Sequence, residues 1–95
     1  MLLSDVCTIK TQFEDADFWV IRRGSLKTVG MPVREYNPEH IGIKVVKTEI
    51  LIPDYLYYCM VYMHGQKLWE MQATGTLSLV NIRVTDVRKI RLSPV

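Results

Sequence analysis

Four kinds of side chain in this sequence could carry chemistry: the histidines His40 and His64, the cysteines Cys7 and Cys59, the acidic run Glu14-Asp15-Ala16-Asp17, and a set of arginines and lysines. The first three do not assemble into a recognisable centre. Neither histidine stands at ligand spacing from a cysteine or carboxylate, as a zinc site requires. Cys7 or Cys59 with His64 would give a nucleophile and its base, but Cys59 sits inside an apolar helical run and reads as core, a small hydrophobe. The acidic run lacks the glycine and the ligand spacing of a calcium loop. There is no GxGxxG and no GxxxxGK[ST]. The expectation is a non-enzyme with no metal and no cofactor.

The basic residues are more informative through their distribution than their number. Net charge is only +2. Residues 13–19 hold Glu14, Asp15 and Asp17 without a base, whereas residues 20–34 hold Arg22, Arg23, Lys27 and Arg34 without an acid. From Arg83 to Val95, Arg83, Arg88, Lys89 and Arg91 face Asp86 alone. Two such stretches lining one surface would suit phosphates; taken separately they are ordinary solvated charge. The run Tyr55-Leu56-Tyr57-Tyr58 offers rings that could stack on bases, but on a helix these tyrosines point in different directions. Rings used for packing, with hydroxyls at the rim, is the alternative account.

The elements that would position these residues can be read in order. The chain is 95 residues and 48% apolar, a globular profile for one domain spanning 1–95. "LLSDVCTI" is a short helical turn or a turn leading into a strand, with Ser4 before Asp5 as an N-cap pair. "FWVIRR" and "IGIKVVK" read as strands, the second placing Ile41, Ile43 and Val45 on one face. "VGMPVREYNPEH" between them is irregular or an edge. Pro53 and Asp54 open the clearest helix, with Leu56, Cys59, Met60 and Met63 at helical spacing, a kink at Gly65 and a stop at Gly75. "LSLVNI" and "RKIRLS" read as strands separated by a turn at Thr85-Asp86. The sum is an α+β fold: a small, mostly antiparallel sheet packed by one long helix over about residues 53–73. No signal peptide or membrane span is expected, and two widely spaced cysteines point to a reduced, cytoplasmic setting with both thiols buried.

Four segments, in this order, resemble the target recognition domain of type I restriction–modification specificity subunits. "LLSDVCTIKTQ" is similar to the family's opening turn and short strand, which usually closes on a glycine where this chain has Gln12. "DFWVIRRGSLKTVG" resembles a strand ending in Arg-Arg-Gly with a glycine-containing loop. "TEILIPDYLYYCM" resembles the family's Leu-x-Pro-x-Tyr/Phe-Leu-Tyr-Tyr helix start. "ATGTLSLVNIRVTDVRKIRLSP" resembles its Gly-Ser/Thr-Thr…Asn-Ile-Ser…Ile-x-Ile/Leu-Pro ending. Against the family pattern, the stretch between the Arg-Arg-Gly loop and the helix is short, the long helical spacer that joins recognition domains is missing, and Leu77 stands where a polar residue is common.

The resemblance implies binding of double-stranded DNA through loops. On that reading Arg22, Arg23, Ser25 and Lys27 act around the glycine loop, with Arg34 beyond it; Lys10, Thr11 and Gln12 act where the first strand ends. Thr74, Thr76 and Ser78, flanking Gly75, supply short donors, and Arg88 and Lys89 grip phosphates. It also implies restriction–modification methylation subunits as partners. The alternative is a non-catalytic protein-interaction module, virus- or plasmid-encoded, that engages or inhibits such subunits in a host. A homodimer is expected because Met60, Met63, Trp69 and Met71 along one helix exceed what a chain this short buries.

Overall fold

Apolar residues alternate in the strand segments and recur every three or four in the helical one, and the chain folds accordingly. The computed structural model describes residues 1–25, 27–66, 74–75 and 80–91. A 3-10 turn at Leu3–Asp5 leads into β1 (Cys7–Thr11); β2 (Phe18–Val20), β3 (Arg23–Gly24), β4 (Pro32–Val33) and β5 (Ile41–Val45) follow. Then come α1 (Pro53–Gly65), β6 (Thr74–Gly75), β7 (Val80–Asn81) and α2 (Val84–Arg88). Strands β1, β5, β2 and β4 form one antiparallel sheet in that order; β3, β7 and β6 form a second. The fold is α+β, with a small antiparallel sheet under one long helix.

One face of the larger sheet carries the core. Cys7 and Ile9 of β1, Phe18 and Val20 of β2, and Ile41, Ile43 and Val45 of β5 pack with Leu56 and Met60 of α1, Val87 of α2, and Leu3, Val6, Val29 and Ile82. The Phe18 ring meets Tyr57 edge-on at 5.4 Å. Thr11, Ile41, Val20 and Pro32 stand in register across the sheet, so β1 and β2 finish at the same end. The other face is covered by the loop 12–17. Gly42 makes room for it: a Cβ there would lie 2.7 Å from that of Phe13 and 3.0 Å from that of Ala16. Trp19 clips the loop down by donating its indole N–H to the Phe13 carbonyl at 2.8 Å.

Several local expectations are corrected. Ser4 lies inside the 3-10 turn, and it is the Asp5 carboxylate that accepts the Leu2 N–H at 2.8 Å. The helix ends at Gly65 with Gln66 as its C-cap, and Gly75 belongs to strand β6 rather than to a helix stop. Positions 67–73 of the expected helix lie outside the described residues, as do Trp69 and Met71. Met60 is fully buried and Met63 packs against the core, so neither leaves the surplus apolar surface expected of it. Cys59, expected in the core, is only partly buried. Thr85 and Asp86 form no turn and "RKIRLS" is not a strand over its described part. Arg88 closes helix α2, Lys89 caps it, and Arg91 makes a single bridge to Leu2. The reason is a period of three: Val87 is buried and Val84 and Ile90 pack on the core, while Asp86 accepts the Arg83 N–H at 2.8 Å and so secures the helix start.

Candidate nucleic-acid interface

Between β2 and β4 the chain makes an excursion that is held at its neck. Ile21 donates to Met31 and Gly30 donates to Ile21, at 3.0 and 2.8 Å. Inside it the Ser25 carbonyl accepts from the Thr28 and Val29 N–H groups, and Val29 plugs into the core. Gly24 has φ +149°, and a Cβ on it would lie 2.7 Å from the Thr28 hydroxyl oxygen, so the turn needs glycine there. His64, in the last turn of α1, donates its Nε2 proton to the Lys27 carbonyl at 2.6 Å. The C-terminal end of α1 carries partial negative charge, which favours cations on the loop. The loop is thus an anchored platform for Arg22, Arg23, Ser25 and Lys27.

The second sheet brings the C-terminal basic stretch to this platform. Arg23 stands in register with Asn81, which in turn pairs with Thr74. The Ile82 N–H donates to the Arg22 carbonyl at 2.9 Å, and Arg83 follows directly. Among the described residues, the side chains of Arg22, Arg23 and Lys27 have no ion pair or hydrogen bond. Arg83 is partly neutralised by Asp86, 3.6 Å away. Thr11 finishes β1, with Gln12 directly after it, at the same end of the larger sheet, about 10 Å across β5 from the end of β2. Gln12 has φ +54°, the left-handed region that glycine tolerates and other residues rarely adopt. Its N–H donates to the Pro38 carbonyl at 3.1 Å.

Other residues expected at the site lie elsewhere. Lys10 projects over the Phe13 ring at 4.7 Å on the outer sheet face. Arg34 sits over the Tyr57 ring at 3.9 Å and pairs with Asp54 at 3.5 Å, near the start of α1. Arg88 donates to the Ile9 carbonyl at 3.0 Å, covering the open edge of β1. Lys89 follows it toward Ile90, whose carbonyl accepts the Leu3 N–H, away from the loop end. Thr76 and Ser78 lie outside the described residues. Arg83, counted in the C-terminal basic stretch but not among the expected DNA contacts, and Asn81 are the positions that the sequence reading left out of the site. Asn81 is recognisable only once its pairing with Arg23 is known.

Two reactive groups elsewhere in the fold, Cys7 and His40, are shifted by their surroundings. Burial, and then the Asp17 charge, push the Cys7 thiol up to about 11, so at neutral pH it is an inert thiol. Partial burial lowers the pKa of His40, opposed by Glu39, and its Nδ1 has no hydrogen-bond partner. Among the described residues no three His, Cys, Asp or Glu side chains converge on a metal position. Among those residues no helix is long and apolar enough to cross a membrane. Compared with known proteins, the chain matches no family model, no curated protein and no solved structure.

Proposed function

We propose that this chain is a non-catalytic DNA-binding module of the target-recognition type, acting in the cytoplasm and gripping duplex DNA with the loop end of the fold. The observation that carries this reading is the pairing of β3 with β7. It joins Arg22 and Arg23 to the Asn81–Arg83 segment, at the end where Thr11 and Gln12 also finish. Cations without internal partners are free to release counterions from phosphates, and arginine forks can pair with guanine edges. Gln12 in a left-handed conformation, where the resembled family carries glycine, adds a residue-level support. Methylation subunits of a restriction–modification system are the protein partners this reading implies.

A mobility-shift titration on random duplex DNA tests it. With about three phosphate contacts, affinity should fall roughly 40-fold between 50 and 200 mM salt. A chain that leaves duplex DNA unshifted at low salt, or binds it without salt dependence, overturns the reading. The loop end would then serve a protein partner, as in a module that engages or inhibits a host modification subunit.

A further inference from the structure

We propose that the outer face of α1 is where two copies of this chain associate, helix against helix and antiparallel. The inference goes beyond the DNA reading and does not rest on it. The inner face of α1 is used up by Leu56, Met60, Tyr57 and Met63. On the outer side Tyr55, Tyr58 and Tyr62 are 59%, 64% and 67% exposed, flanked by exposed Ile52 and Val61. Outer helix faces ordinarily carry charge. Here residues 55–66 contain no Asp, Glu, Lys or Arg at all, and Asp54 at the border is already paired with Arg34.

Spacing and area point to a second copy. Steps of three and four from Tyr55 to Tyr58 to Tyr62 make a straight stripe, the seam by which one helix packs on another. A side chain like tyrosine buries about 150–250 Å², so three rings at these exposures offer roughly 300–450 Å². With Ile52 and Val61 the patch reaches about 500 Å² per copy, or on the order of 1,000 Å² for two, the lower bound of a specific interface. An uncharged stripe meets itself across a two-fold without like-charge conflict, whereas a differently charged partner would find nothing here to select it. The antiparallel sense sets each helix's positive end beside the other's negative end. A two-fold near Tyr58 then brings Tyr55 of one copy beside Tyr62 of the other.

Sedimentation equilibrium on the full chain over about 1–100 μM reads the association, in the range a small interface supports. We expect a monomer–dimer equilibrium in that window. Tyr58→Glu should move its midpoint at least tenfold upward, because it buries an unpaired charge; Met31→Glu, on another exposed surface, should not move it. Tyr55→Lys and Tyr62→Glu should each weaken the dimer, and the double variant should recover it, since each introduced charge then meets its opposite. Circular dichroism confirms that each variant stays folded. A wild-type chain that is monomeric throughout, or a dimer indifferent to the tyrosine changes, overturns the proposal. Failure of the double variant to recover overturns the antiparallel geometry. If the chain is monomeric and the tyrosine variants instead lose affinity for single-stranded DNA, the face is a base-stacking surface; if they change neither, a protein of another sequence covers it. Both results overturn it.

Discussion

On the larger sheet and its flanks, Lys10, Lys44, Arg34 and Arg88 each rest on something within the fold: a Phe13 ring, the Asp15 carbonyl, Asp54 with the Tyr57 ring, and the Ile9 carbonyl. At the loop end, Arg22, Arg23 and Lys27 rest on nothing among the described residues, although their backbone is pinned by Val29, His64 and strand β7. Both regions carry basic residues in the sequence. The difference lies in what the charges are left to do. A cation already bound to a carbonyl or ring contributes to holding the fold, and using it on a phosphate would forfeit that contact. A cation on a rigid backbone without a partner can bind a phosphate at little ordering cost. Substitutions should therefore separate the two regions by readout, stability for one and binding for the other.

The largest effect belongs to the body. Phe18 is fully buried against Tyr57, so Phe18→Ala should cost about 3–5 kcal/mol in chemical denaturation. A loss under 1 kcal/mol would mean the sheet and α1 are not packed as described. The counterpart at the loop end is Arg22→Ala with Arg23→Ala. Duplex binding should weaken by about 1–3 kcal/mol per arginine, while the denaturation midpoint stays within about 0.5 kcal/mol of wild type. Unchanged binding by a folded double variant would erase the distinction.

Gly42→Ala probes the outer sheet face. Its new Cβ would meet those of Phe13 and Ala16, and because both are attached directly to backbone the loop 12–17 must lift. A loss of about 1–3 kcal/mol follows. Arg88→Ala should cost less, about 1 kcal/mol, for a charge-assisted hydrogen bond that water can partly replace. Here the contrast is sharpest. Read from the sequence, Arg88 is a phosphate contact; placed on the Ile9 carbonyl, it is a cover for a sheet edge. If the variant keeps its stability and loses DNA affinity instead, the sequence reading was the better one.

How far the sequence could be read depended on whether the signal was local. Ile41, Ile43 and Val45 alternate, and β5 followed; Pro53 and Asp54 mark a helix start, and α1 followed. The apolar residues at 84, 87 and 90 are obscured by Thr85-Asp86 and by the alternation of Ile90 with Leu92, so the α2 segment reads as a turn running into a strand. Two-residue strands such as Arg23–Gly24 carry no periodicity. Their existence depends on a partner at Val80–Asn81 that only the folded chain brings near. The grouping of the basic stretches was therefore legible only as a condition, that they share a surface. Which cations stay free was not legible at all, because Ile9 and Phe13 do not announce themselves as partners of Arg88 and Lys10.

The smallest expected effect falls on Gln12, where the two regions meet. Its φ of +54° costs a residue with a side chain about 1–2 kcal/mol, which glycine avoids. Glycine in turn loses about 0.5–1 kcal/mol more entropy on folding. Gln12→Gly should therefore stabilise the chain by roughly 0.5 kcal/mol, provided the N–H bond to Pro38 is kept. Strain retained at an exposed position, where a glycine would relieve it, fits a side chain kept for contact rather than for folding. In that case the same change should lower affinity for a preferred duplex while leaving binding to random duplex unaltered, since an amide reads adenine edges and not phosphates. Thermal denaturation and competition binding measure the two halves separately. A variant that is more stable and loses no discrimination would place Gln12 with Lys10 and Arg88, among residues that serve the fold and leave recognition to the arginine loop.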